Sequence, residues 1–158
     1  FPVNESVNYT GSLCVNATLN YVASACRTEH IQMYWRISLP DPCPIAEMDL
    51  CTILGNMLDN AVRACETVPE ADRQIHLTIT TMDEPNLYIV QSNAFDGAVR
   101  MRGQRYLTTR PGGTGLGLES IQATAEKYNG TARFHHEGKI FCTDIRIPLE
   151  EKKPGEKG

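Results

Sequence analysis

The sequence predicts an α+β fold, a two-layer α/β sandwich in which helices cover one face of a mixed, mostly antiparallel sheet. Three observations predict it. The element order reads helix, strand, helix, strand, strand, long loop, helix, strand, strand. Two pairs of strands follow one another directly, which favours antiparallel pairing. The helical runs carry apolar stripes that need a sheet face to cover them. The 158 residues suffice for one domain with a real core, and a composition 41% hydrophobic and 22% charged is that of a globular chain rather than a disordered one.

Residues 11–30 are expected to be helical, with Leu13, Ala17, Tyr21 and Ala25 at four-residue spacing as the apolar stripe. IQMYWRISL, residues 31–39, is rich in β-branched and aromatic residues and reads as a strand that PDPCP stops. Residues 47–67 give the clearest helix, with Leu50, Leu54, Met57, Ala61 and Ala64 on one face. QIHLTITT and LYIVQSN, residues 74–81 and 87–93, are strands joined by a hairpin-type connection. Residues 94–114 are polar, carry Arg100, Arg102, Arg105 and Arg110, and show no convincing period. A loop of that length is usually functional. Residues 116–128 form a third helix, with Leu118, Ile121, Ala125 and Tyr128 aligned, and Asn129-Gly130 supplies its stop. Residues 131–136 and 139–148 close the chain as a hairpin around Glu137-Gly138, followed by a charged tail.

The net charge of −4 disfavours a nucleic-acid-binding surface. No apolar run approaches the roughly 20 residues that span a bilayer, and no signal peptide is visible. The chain starts without Met, so it is expected to be a piece of a longer protein whose membrane segments lie outside it. Cys14, Cys26, Cys51 and Cys65 sit in helix-patterned runs where a free thiol acts as a small hydrophobe. Cys43 and Cys142 complete the six, and no C-x-x-C pair suggests zinc or redox chemistry. Reduced cysteines in a cytosolic domain are therefore expected despite sequons at Asn4, Asn8, Asn16 and Asn129.

Two stretches carry the candidate chemistry. Asn56 and Asn60 lie four apart on the long helix and share a face, although Asn is a mediocre helix former. An amide oxygen suits Mg²⁺, which is shared with substrate phosphates. Arg63, one turn beyond Asn60, offers a phosphate contact, and Asp59 adds negative charge. A solvated polar helix face explains the same spacing equally well. The second stretch is GGTGLGLES, in which Gly113, Gly115 and Gly117 precede and open a helix. Glycine permits close backbone approach, and the first N–H groups of a helix favour anions. It is neither a Walker A sequence nor a dinucleotide-binding fingerprint, and a flexible hinge is the plain alternative.

Together, in this order, the two stretches resemble the GHKL (Bergerat) ATP-binding fold of gyrases, MutL-type proteins and histidine kinases. LGNMLDNAVRAC looks like the N box of sensor histidine kinases, and GGTGLGLESIQATAEKYNG like their second glycine box. The wording of both is most similar to the Agr-type quorum-sensing kinases. The resemblance implies ATP and Mg²⁺ as ligands. It implies that Asn60 coordinates Mg²⁺, that Asn56 lies near the phosphates, and that Arg63 approaches phosphate. It implies that Gly113, Thr114, Gly115, Leu116 and Gly117 close over the nucleotide, and that residues 95–112 form the ATP lid. Hydrolytic relatives carry a Glu where Asn56 stands, and an amide cannot act as general base, so transfer to a protein acceptor is implied rather than water attack.

The first glycine box departs from the family pattern. Asn93 stands where an Asp is expected, and its oxygen can still accept from the adenine amino group. Asp96, three residues on, is the other candidate. The phenylalanine box of the lid is not recognisable. None of His30, His76, His135 and His136 has the context of a phosphoacceptor. The acceptor His is thus expected on a separate domain upstream, in a dimeric parent protein of the bacterial plasma membrane, with a response regulator downstream. Residues 1–30 are then the link from that domain, 31–149 the catalytic domain and 150–158 a disordered tail. A serine kinase of the anti-sigma-factor type and a degenerate partner-binding module are the alternatives.

Overall fold

A computed structural model describes residues 6–82, 85–107 and 116–149. The expected tail, 150–158, lies outside the described residues. Three helices, α1 (Leu13–Thr28), α2 (Glu47–Cys65) and α3 (Leu116–Lys127), lie on one face of a five-stranded sheet. Its strands are β1 (Gln32–Ile37), β2 (Gln74–Met82), β3 (Asn86–Ala94), β6 (Thr131–Glu137) and β7 (Ile140–Pro148), in the order β1-β2-β3-β7-β6. β1 and β2 are parallel because α2 crosses between them, and the sheet's other three strand pairings among the described residues are antiparallel. The two-layer sandwich with a mixed, mostly antiparallel sheet is what the element order predicts.

Alternation along the strands decides which face the helices cover. Ile75, Leu77 and Ile79 of β2, Leu87 and Ile89 of β3, and Ile145 and Ile147 of β7 are buried and share one face. His76, Thr78, Ser92 and Arg146 fall on the other face. α2 is the centre of the core. It buries Leu50, Ile53, Leu54, Met57, Leu58, Ala61, Val62 and Cys65 and packs against the sheet, α1 and α3 at once.

The α1 stripe expected from the sequence is the wrong face. Leu13 and Tyr21 are 84% and 78% exposed, while Val15, Leu19, Val22 and Cys26 are buried against α2. A strict four-residue spacing drifts by about 40° per step around a helix. The alternating four- and three-residue spacing of the second set holds one direction. α1 is capped by the Ser12 hydroxyl, which accepts from Val15 N–H at 3.2 Å. The Asn16 sequon is buried, its amide bonded to the backbone and hydroxyl of Thr10. All six cysteines are free, and burial pushes the Cys26 thiol up to about 11.

α3 is fastened to α2 at its far end. Tyr128 Oη donates to the Asp49 carboxylate and accepts the Ala46 N–H at 3.1 Å, and Lys127 Nζ donates to Asp49 at 3.0 Å. Asn129 then takes the left-handed conformation (φ 59°), and Gly130 N–H returns to Ala125 O at 2.9 Å. Among the described residues, no helix is long and apolar enough to cross a membrane.

Candidate functional site

The seam between α2 and α3 brings the paired asparagines to the glycine-opened helix. Because Leu54, Met57, Leu58 and Ala61 point into the core, Asn56 and Asn60 fall on the flank of α2 that faces α3. Asn56 Nδ2 donates to Thr52 O at 2.9 Å and reaches Ser120 Oγ at 3.5 Å. One turn on, Asn60 packs against Gly117, where a Cβ would stand 3.1 Å from its Nδ2. A Cβ at residue 117 would therefore press on the Asn60 amide, which would have to give by a few tenths of an ångström. Both asparagines are half-buried beside the first turn of α3, whose leading N–H groups lack intrahelical partners and carry positive partial charge.

Arg63 is not part of this cluster. Its Nε donates to Asp59 at 3.1 Å, and both side chains are more than half exposed. The pair lies along the groove between α1 and α2, lined also by Tyr21, Ala25 and Val62. The sequence predicts a phosphate contact for Arg63, and in this structure its guanidinium is instead engaged by Asp59 beside the α1 groove. Arg63 lies at the edge between two helix flanks, and the Asp59 carboxylate one turn back draws it toward the α1 side.

The end of β3 separates the two first-box candidates. Asn93 is 3% exposed and lies on the helix-facing side of the sheet, in register with Phe141 of β7. Its Oδ1 accepts from Gln91 Nε2 at 2.9 Å, and its Nδ2 donates to Ala94 O at 3.0 Å. Asp96 is exposed, and its Oδ1 caps a turn by accepting Ala98 N–H at 2.9 Å, beside Gly97 at φ 86°. Asn93 faces the interior and Asp96 builds the turn. Gln91 and its register partner Thr143 are also buried, so three polar side chains interrupt the Ile and Leu lining of this face. Buried polar groups cost stability unless paired, and Gln91 and Asn93 offset that cost by bonding to each other.

The polar segment after β3 holds a feature the sequence reading missed. β4 (Arg100–Arg102) and β5 (Arg105–Leu107) form a small hairpin around Gly103 (φ 64°). Tyr106 docks it on the sheet. Its Oη lies 2.7 Å from His136 Nδ1, and its ring meets Phe141 edge-on at 5.0 Å. Phe95 closes the cluster, edge-on to His136 and Phe141 at 6.2 and 6.0 Å. Burial raises the Tyr106 phenol above its ordinary value. Arg105 pairs with Glu119 of α3, so the hairpin touches the helix as well as the sheet. The alternation of RMRGQRYL about a glycine was the available signal. Gly113, Thr114 and Gly115 lie outside the described residues, as does the side chain of Leu116, whose backbone opens α3.

The sequence pattern of a family described as the GHKL domain matches residues 45–148. A protein of Bacillus subtilis (strain 168) named "Probable C4-dicarboxylate sensor kinase" is 25% identical over 114 residues, which cover 69% of this chain and 21% of that protein. The chain thus spans about a fifth of the length of this curated relative. The fold is shared with the catalytic domain of histidine kinase ThkA, at a TM-score of 0.64 and 18% identity, with 86% of this chain and 90% of that one covered. It is shared too with full-length ShkA in complex with AMPPNP, at a TM-score of 0.61 and 17% identity, with 92% of this chain and 31% of that one covered.

Proposed function

The chain belongs to the GHKL domain family, and on that premise we propose that it is the ATP-binding catalytic domain of a two-component sensor histidine kinase. The observation that carries the reading is the meeting of Asn60 with Gly117 at the opening turn of α3. It puts a hard amide oxygen and a row of backbone donors at one place, which suits a metal-bound polyphosphate. The AMPPNP held by the structurally similar ShkA supports a nucleotide as the ligand.

The residues present fit Mg²⁺ together with phosphates: Asn60 would supply a neutral oxygen to the ion, and the positive helix N-terminus would hold the phosphates. When bound, the ion would neutralise charge on the phosphates. The chain's own groups would do the rest. Asn60 orients the phosphates, and Asn56, tied to Thr52 and Ser120, holds α2 and α3 at a fixed spacing. Neither amide can take a proton from water, which leaves positioning as the main contribution and a protein side chain as the acceptor. Asn93 would hold the base, and Asp96 would keep its turn. Arg63 would reach a phosphate by leaving Asp59, and an exposed pair of this spacing gives up only about 0.3–0.5 kcal/mol. Gly113, Thr114, Gly115 and Leu116 would complete the phosphate loop, and residues 95–112 the lid.

The acceptor would be a His of a separate dimerisation domain in a homodimeric, membrane-associated parent, and a response regulator would take the phosphoryl group onward. In this chain His76 stacks on Tyr34, His135 pairs with Asp144 and His136 is bonded to Tyr106. Residues 31–149 would be the catalytic domain and residues 1–30 its link to the acceptor. The wording of both boxes supports an Agr-type kinase within the family. The serine-kinase and non-catalytic alternatives are not favoured. The test is transfer of labelled γ-phosphate from Mg-ATP to an acceptor His domain of the parent. Label on His supports the reading, and label on Ser or on no protein rejects it.

A further inference from the structure

α1 and α2 pack side by side and share two pairs of cysteines. The Cys51 thiol is hydrogen-bonded to the Cys14 thiol near the starts of the two helices. Cys65 lies beside Cys26 near their ends. The helices therefore run in the same direction, with the groove of Tyr21, Ala25 and Val62 between the pairs. All four cysteines sit on regular helices, so the fold and not a loop sets their approach.

The two pairs differ in access. Cys26 and Cys65 are fully buried, and Cys65 Sγ also bonds to Gln74 O and Ala94 O at 3.5 and 3.6 Å. Those two thiols serve packing. Cys14 and Cys51 are each partly exposed, so a small reagent reaches them. Thiols within hydrogen-bond reach need only side-chain rotation and a small helix shift to come to the S–S length of about 2 Å. Burial first, and the bond to Cys14 next, push the Cys51 thiol up to about 11, so Cys51 keeps its proton at neutral pH. Cys14 stands in the first turn of α1, at the positive end of the helix, and is the better placed to attack.

We propose that Cys14 and Cys51 form an oxidation site, a thiol pair that a small-molecule disulfide converts into a reversible bond between α1 and α2. The inference is independent of the nucleotide reading. Cys14 Sγ attacks one sulfur of the reagent, takes that half as a mixed disulfide and expels the other half as a thiolate. Cys51 Sγ then attacks Cys14 Sγ, forms the protein S–S bond and expels the second half. The two thiol protons end on the two expelled thiolates. The protein is oxidised by two electrons, and the reagent is reduced by two to a pair of free thiols. The bond pins the first turn of α1 to α2 just before Asn56, on the helix that carries both asparagines.

The test equilibrates the whole chain with glutathione and glutathione disulfide, then maps linked peptides by mass spectrometry. The expected product is one Cys14–Cys51 bond, with Cys26 and Cys65 still free thiols. The native chain is expected to be half oxidised at a proportion of glutathione disulfide roughly a hundredfold lower than the same chain in urea, because the fold holds the two sulfurs together. These two readings need no variant. Cys51→Ser is expected to stop at a glutathione adduct on Cys14, which the wild type resolves into the protein bond. No Cys14–Cys51 link in the native chain, or a link formed no more readily than in urea, overturns the proposal. A glutathione adduct that persists on Cys14 of the wild type overturns it as well.

Discussion

Gly117 lies against Asn60: a Cβ on residue 117 would stand 3.1 Å from Asn60 Nδ2, closer than about nine in ten real contacts of that kind. A side chain on the third helix at this point would thus bear on the asparagine of the second. Gly117→Ala is expected to separate stability from binding. Alanine in a first helical turn favours the helix by up to about 1 kcal/mol. The same methyl displaces Asn60 by a few tenths of an ångström. The melting temperature should hold or rise while Mg-ATP affinity falls several-fold. Loss of both, or of neither, would contradict the arrangement.

Asn60→Ala removes the oxygen assigned to the metal without touching the core. Its side chain is half-buried at the seam, so a stability change within about 1 kcal/mol is expected. Nucleotide affinity should fall tenfold or more in Mg²⁺ and change little in excess chelator. An equal loss in both conditions would show that Asn60 acts on the fold and not on the metal.

Tyr128→Phe tests the clamp between α3 and the first turn of α2. It deletes the donor to the Asp49 carboxylate and the acceptor of the Ala46 N–H, for a cost of about 1–3 kcal/mol in chemical denaturation. The Tyr128 hydroxyl, and Lys127 after it, hold the Asp49 carboxyl below its ordinary value of 3.8. Stability from a carboxylate shifted in that direction is fully present above the unfolded value and is lost as pH falls through the lower folded one. Burial first, and Asp49 next, raise the Tyr128 phenol above 10.0, so its share is present below that pH and lost as pH rises through the higher folded value. The gap between wild type and Tyr128→Phe should therefore be flat near neutrality and narrow at both extremes. A gap that persists undiminished at pH 3 would contradict the Asp49 assignment.

Tyr106→Ala should release the β4–β5 hairpin alone. The substitution removes the bond to His136 and the edge contact with Phe141. Hydrogen exchange is expected to quicken across residues 100–107 and to stay slow in β3 and β7. Unchanged exchange in the hairpin would mean that another contact docks it.

The large elements were legible because their periods are long. The apolar stripe of α2 spans five turns, and α3 ends at the Asn129-Gly130 stop the sequence predicts. α1 was legible as a helix but not as to its face, since two sets of apolar residues run along it and only packing against α2 chooses between them. The β4–β5 hairpin was lost because each strand is three residues, so the alternation of RMRGQRYL about Gly103 was a weak signal inside a polar segment. Asn93 and Asp96 could not be separated on sequence, since both are polar residues at a strand end. Strand parity and the turn at Gly97 separate them. Gln91 was legible in principle. Leu87, Ile89, Gln91 and Asn93 share one face, and the change from apolar to polar halfway along it was the signal.

The central claim is that a magnesium-bound adenine nucleotide binds between α2, α3 and β3. Thermal unfolding of the whole chain against rising Mg-ATP tests it most directly. At one hundred times its dissociation constant a ligand of the folded state adds about 2.7 kcal/mol. For a domain of this size that is a rise of roughly 5–10 °C, and the account predicts a rise of that order that Asn60→Ala cuts to about half or less. A melting temperature that does not move at millimolar Mg-ATP would contradict it.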